Sequence, residues 1–397
     1  MTIEQTVAYI IRFLLYGHEE AVPLVGYTAD QSLWPEYSVV VKPNGHLGQD
    51  WIYPDMGKPV VSEHNGCVVV ETDIIYNTCF FLSGAEELLT NQRDEHGRLP
   101  ARFSILGEGD RLCIPLVDEY AHTLMNLLGT PLNRPNFSHI SLTHDIDTLA
   151  HYRHLRGFVG GCMRGQWRQS LASIQALDQD PAWTFRWLLE EEERVPDART
   201  IYFVKHTHGK GYDYPQYSLT GRDWQRTKQT LLDHGTVLGL HSSYYGQLPN
   251  HSEMAAFIGI SGQIFHRAHY LRYSLDRLRN IAQAGITDDF GMAFADRAGF
   301  RMQTCRPYQW IDPLTCTLTP LTIHPLTMMD CTLSNTNYMN LSEEEALHYS
   351  LKLIDTTRHY SGELVLLWHN HIFNPTTYHS SLYPKLLKYL CQKDCSY

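Results

Sequence analysis

The chain has 397 residues, 43% hydrophobic and 19% charged, a balance that excludes a disordered polymer and leaves room for two folded domains. With 43 acidic against 32 basic residues the formal charge is −11. Such a surface repels phosphate backbones and shows no basic stripe, so nucleic acid is not expected as a partner.

The first segment, MTIEQTVAYIIRFLLYGHEE, places Val7, Ile10, Ile11, Leu14 and Leu15 at helical spacing. It lacks a basic leader, is interrupted by Arg12 and has no small-residue cleavage site, so an amphipathic helix is predicted rather than a signal peptide. No run of 18 apolar residues occurs, and no membrane span is predicted. The nine cysteines are odd in number and include no CxxC pair, which fits reduced thiols and a cytoplasmic location. In AEELLTNQRDEHGR, residues Glu86, Glu87, Arg93, Asp94 and Arg98 alternate in sign, as a solvated helix and turn would. This first part of the chain holds no catalytic cluster, and a scaffolding or substrate-positioning role is expected of it.

A helix is predicted over VDEYAHTLMNLLG, stopped at Gly129. Pro131 and Pro135 follow in GTPLNRPNFSHI and mark a boundary, giving an N-terminal α/β accessory domain at 1–135 and a second domain at 136–397. From there strands and helices alternate. HISLTHDID reads as a buried strand. A helix near 181–195 precedes the strand TIYFVKH, DWQRTKQTLLDHG precedes TVLGLH, and SLDRLRNIAQAG precedes ITDDF. The helix LSEEEALHYSLKLIDTTRHY leads to the apolar run ELVLLWH. This alternation predicts an α/β barrel or a doubly wound sheet, with polar groups gathered where strands end.

Four clusters fall at such ends. In Thr143-His144-Asp145-Ile146-Asp147, alternation puts both carboxylates on one side of the strand, tolerable if one binds a cation and the other holds a proton or water. His144 then points to the opposite face. His241 leaves an apolar strand in GLHSSY. Arg267 and His269 lie in HRAHYLR, and His369 and His371 in LLWHNH. Each cluster alone is better explained as a cap, a turn or a structural histidine; the ordered set of four is not.

HDID, GLHSS, RAHY and LLWH together resemble the motif order of the NodB-homology polysaccharide deacetylases, carbohydrate esterase family 4. The similarity is closest to a divergent bacterial branch reading THDID, GLHPSY and RQHYLR, which carries an extra N-terminal domain. The resemblance spans roughly 138–375, and FFLSGAEELLTNQRDEHGRLPARFSIL extends it upstream. It implies a NodB-like distorted β/α barrel behind the smaller N-terminal α/β domain. The implied activity is metal-dependent hydrolysis of an N-acetyl or similar acyl group on a sugar or glycan precursor. Under it Asp145 is the general base, Asp147 and His241 are metal ligands, Arg267 orients the base, and His369 is the general acid. A divalent metal is implied, with zinc the first choice for an Asp/His set.

One position departs from the family pattern. Tyr245 stands where a second histidine of the His-Ser/Thr-X-X-His motif is expected. His269 is the proposed replacement ligand, with His251, His266 or water as substitutes. His206 and His208 in VKHTHGKGYDY are read as a substrate-facing or solvated loop, Cys305 as packing, and Trp310 as a candidate wall of a sugar pocket. Two rival readings remain, a hydrolase of a non-sugar amide on the same fold and a catalytically inactive glycan-binding module.

Overall fold

The computed structural model describes residues 2–132, 136–206, 209–215, 217–254, 262–373 and 377–392. Near the N-terminus, β1 (Val25–Tyr27), β2 (Val39–Val41), β3 (Val61–His64) and β4 (Cys67–Val70) form a sheet in the order β1-β2-β4-β3. The first three neighbours are parallel, and their apolar runs VVV and CVVV are what a strand covered on both faces requires. Among the described residues of this sheet β3 and β4 form the one antiparallel pair, turning through Asn65 and Gly66, both at positive φ, as a tight hairpin demands.

The second sheet comprises β5 (His139–Ile146), β6 (Ala198–Lys205), β7 (Val237–Ser242), β8 (Phe265–Ala268), β9 (Asp288–Asp289), β10 (Tyr308–Asp312), β11 (Thr317–Ile323), β12 (Met328–Met329) and β13 (Glu363–Leu367). Their order is β10-β11-β9-β8-β7-β6-β5-β13-β12, and every pair is parallel except β10–β11. The C-terminal ends of β5, β6, β7, β8, β12 and β13 therefore share one edge, where α/β folds collect their functional groups. The sheet curls into a half-barrel, but its edge strands β10 and β12 do not pair with each other among the described residues. The barrel expected from the sequence is thus open. The predicted strands are all present, and the predicted helices appear as Phe185–Glu192, Arg222–Asp233, Leu275–Gln283 and Glu343–His359. The last carries a capping box between Ser342 and Glu345.

At the open side, helices Ile3–Leu14 and Ile74–Ser83 pack on β10 and β11. Arg306 lies 4.0 Å from the ring centre of Phe13 and 3.8 Å from that of Tyr16, and donates from Nε to Asp118 at 2.7 Å. Asp118 also accepts from Thr304 and from the backbone N–H of Cys305. Cys305 is buried packing, as expected, and burial pushes its thiol well above the usual range. Trp310 is not a pocket wall: it is fully buried and donates to the Ser83 carbonyl at 3.1 Å. The buried apolar residues of the N-terminal segment and of the large sheet run together in one core.

Glu86, Glu87, Arg93, Asp94 and Arg98 are not freely solvated either. Glu87 pairs with Arg93 at 2.6 Å and with Arg301 at 2.7 Å, while Glu86 accepts from Ser104 and the Ile105 N–H. Arg98 is buried and pairs with Asp94 at 2.7 Å. Glu87–Arg93 and Asp94–Arg98 are local pairs that the sign alternation does encode, whereas Arg301 is distant in sequence and local pattern does not reveal it.

At the N-terminal ends of the strands sits a buried polar knot. His324 contacts Glu363 at 2.5 Å and Asp288 at 2.9 Å, with its ring stacked 4.1 Å over Phe290. Ser141 and Arg199 donate to the other Glu363 oxygen.

Candidate metal centre

Asp145 ends β5 with Ile146, and Asp147 follows it into the loop; His241 lies near the end of β7; Arg267 is on β8, and His269 just beyond it. His369 follows β13 by two residues. Parallel register brings Lys205 opposite His241 and His241 opposite Arg267. The four motifs thus meet at one edge.

His241 Nε2 and His269 Nε2 lie 3.3 and 3.2 Å from the same Asp147 oxygen, Oδ1. Donor atoms around a tetrahedral zinc with bonds of about 2.0–2.1 Å are separated by about 3.3 Å. Asp147 Oδ1 and His241 Nε2 are buried and, although 3.3 Å apart, neither makes a well-directed hydrogen bond among the described residues. Orphaned polar atoms in that position are costly unless a cation takes them. The opposite nitrogens are engaged: His241 Nδ1 contacts the Arg267 carbonyl at 3.0 Å, and His269 Nδ1 contacts Asp213 at 2.9 Å. Those contacts fix the ring orientations and leave both Nε2 atoms for a metal. Asp147, His241 and His269 therefore fit a divalent cation.

Burial alone would raise the Asp147 carboxyl, but the His269 and His241 imidazoles beside it hold it well below the usual range. Burial would likewise depress His269, and Asp147 outweighs that and raises it. Lys205, buried and lowered by that burial, donates from Nζ to the Asp147 carbonyl at 2.9 Å.

Asp145 is 3.6 Å from His241 Nε2 through Oδ2, while its Oδ1 accepts from Arg267 at 2.9 Å. The Arg267 guanidinium is fully buried, bonded also to Thr143 and the Phe290 carbonyl and lying 4.4 Å over Phe203. On the other side, His369 Nε2 is 3.6 Å from Asp147 Oδ2. Its Nδ1 is 2.9 Å from Asp330 Oδ1, and its backbone N–H donates to Asp330 Oδ2 at 2.6 Å. Burial would lower His369, but Asp330 raises it well above the ordinary histidine value.

The remaining candidates separate cleanly. Tyr245 is 55% exposed at the rim, its hydroxyl against Gly211. His266 is no substitute ligand: Asp289 and Ser242 occupy its two nitrogens at 2.6 and 2.8 Å. The side chain of His251 and the whole of His208 lie outside the described residues, and His206 is 3.7 Å from Glu253. His144 faces away, bonded to the Trp368 carbonyl and to Glu192, both at 2.7 Å. Two carboxylates that hold the candidate histidines, Asp213 and Asp330, are not singled out by the sequence; Asp330 directly follows β12, the one local sign available.

The N-terminal segment reaches this rim. Arg98 donates to the carbonyl of Tyr270 at 2.8 Å, and His96 Nδ1 contacts the Tyr244 hydroxyl at 3.2 Å. Tyr270 and Leu271 both have positive φ directly after His269, a strained turn held from both sides.

Residues 13–131 match the model of a family of unknown function, DUF7033. No curated protein matches the chain. Among solved structures it is similar to a "putative polysaccharide deacetylase" from Mycobacterium smegmatis, with 14% identity and a TM-score of 0.41 over 66% of this chain and 88% of that one. What the fold and the site define is a mixed α/β protein whose half-barrel edge carries an Asp/His/His group able to hold a cation.

Proposed function

We propose that the protein is a metal-dependent hydrolase that removes an N-acetyl or similar acyl group from a sugar or glycan precursor. The observation that carries the reading is the pair of orphaned buried atoms, His241 Nε2 and Asp147 Oδ1, converging with His269 between a carboxylate held by arginine and a histidine held by aspartate. The motif resemblance supplies the substrate class.

A bound divalent cation, zinc by the donor set, would polarise the acyl carbonyl and acidify water. Asp145 takes the proton from the attacking water, kept ionised and aimed by Arg267. His369, protonated through its pairing with Asp330, gives a proton to the nitrogen as the C–N bond breaks, so that an amine and a carboxylic acid leave. His269 serves as the third protein ligand in place of the histidine that Tyr245 replaces. Residues 1–135 form an accessory unit that buttresses the rim through His96 and Arg98.

The test is amine release from a panel of N-acetylated amino sugars, short oligomers and simple acetamides, using zinc-loaded protein. Release confined to the sugars supports the reading. Release from simple amides alone favours the non-sugar hydrolase, and stoichiometric metal with no turnover of any panel member rejects the assignment.

A further inference from the structure

The segment between Asp147 and Asp178 forms a helical hairpin, Leu155–Met163 and Trp167–Gln175, whose polarity is inverted. The residues it buries are small or polar: Gly161, Ser170 and Ser173. A Cβ on Gly161 would strike Ser170 Oγ at 2.3 Å and the Tyr152 ring at 2.7 Å, so the two helices are in close contact along this inner side. Its large apolar side chains face out. Leu155 is 81% exposed, Met163 84% and Trp167 50%, and Val159, Leu171 and Ile174 continue the stripe at helical spacing. A helix whose only neighbours are water and its own protein does the reverse.

Charge sets the hairpin apart a second time. Residues 148–177 contain four arginines and no Asp or Glu, a local +4 in a chain of −11. Arg153 pairs with Asp223, but Arg156, Arg164 and Arg168 are exposed and form no ion pair among the described residues. Exposed apolar side chains, a tryptophan and flanking arginines are the composition of a surface that lies in a lipid headgroup layer. A second copy would set arginine against arginine, and the acidic remainder of the chain would be repelled by an anionic bilayer, leaving this face to meet it.

We infer that the hairpin 155–175 docks the protein peripherally on an anionic lipid bilayer. It does so beside the candidate centre: Asn370 donates to the Thr148 carbonyl at 2.9 Å, and the His151 ring lies 6.3 Å from that of His371. The inference does not depend on the proposed reaction.

The full chain is sedimented with vesicles of phosphatidylcholine, with and without about one-third phosphatidylglycerol, at low and physiological salt. Wild-type protein should bind the anionic vesicles at least ~10-fold more tightly than the neutral ones, with binding weakened by salt. Met163→Ser with Trp167→Ser should lose at least ~10-fold in affinity, and Arg156→Gln, Arg164→Gln and Arg168→Gln together on the order of 100-fold. Unchanged melting temperature and metal content in these surface variants exclude misfolding. Equal binding to neutral vesicles, no binding at all, or unaltered binding by either variant overturns the proposal. So does a wild-type dimer that Met163→Ser with Trp167→Ser converts to monomer, which would make this face a contact between copies.

Discussion

Asp213 contacts Nδ1 of His269 at 2.9 Å, so that the opposite nitrogen, Nε2, is turned toward Asp147. Asp213 is itself held by the Ser243 hydroxyl at 2.6 Å and the Tyr244 N–H at 2.9 Å, and these contacts, with His269, keep its carboxyl down at about 2 against the cost of burial. Asp213→Asn keeps the shape and removes the charge behind the imidazole. Divalent-metal affinity should fall roughly 10–100-fold, read by competition with a chelator, while the melting temperature of the metal-free protein changes little.

The ligands themselves give a sharper outcome. Wild-type protein should bind about one zinc per chain, and Asp147→Ala, His241→Ala and His269→Ala should each abolish stoichiometric binding. Elemental analysis after gel filtration checks this. Full metal content in His269→Ala would remove that residue from the set.

Acid and base should separate from metal. Asp145→Asn and His369→Ala are each expected to lower turnover by at least ~100-fold with metal retained. Turnover close to wild type in either variant means that the assigned role is wrong.

The sequence carried most of this centre because its residues lie where strands end. HDID, GLH and RAH each sit within a few residues of an apolar run, and parallel strands bring such ends together whatever the intervening loops do. Asp213 and Asp330 were not legible, since each matters through a histidine in another part of the chain, 56 and 39 residues away. The openness of the half-barrel was hidden for a related reason. Whether edge strands meet depends on curvature summed over nine strands, and no local pattern encodes it. The supposed solvated charges of 86–98 failed in the same way, through Arg301 and Tyr270 far downstream.

The knot at the other end of the strands predicts a pH profile for stability. Burial opposes the charge on His324, but Glu363 and Asp288 lift its folded value to about 9, above the 6.5 of the free group. That contribution is complete below about 6.5 and is lost as pH rises through 9. For Glu363, burial is outweighed by His324 and Arg199, and its folded value of about 2 lies below the free 4.5. Its contribution holds above about 4.5 and is lost as pH falls toward 2. Denaturant midpoints should therefore be highest near pH 4.5–6.5 and fall on both sides. His324→Leu should remove most of the alkaline decline and cost about 3–5 kcal/mol at pH 6, because it strands buried carboxylates.

Asp118→Ala should destabilise by about 3–5 kcal/mol, since it leaves the buried Arg306 guanidinium without its counter-charge. Chemical denaturation followed by tryptophan fluorescence measures the loss, and a change below about 1 kcal/mol would show that solvent reaches Arg306 instead.

The core shared by the N-terminal helices and β10–β11 bears on how such a chain can be cut and recombined. A fragment beginning after Pro135 would uncover apolar side chains of the shared core, Tyr308, whose ring meets that of Phe13, among them, and leave β10 as a bare edge. Its expected fate is inclusion bodies rather than a smaller soluble protein. Residues 1–135 expressed alone would bare the opposing half of the same contact, helices Ile3–Leu14 and Ile74–Ser83, so the two parts are expected to be recovered in soluble form only when co-expressed.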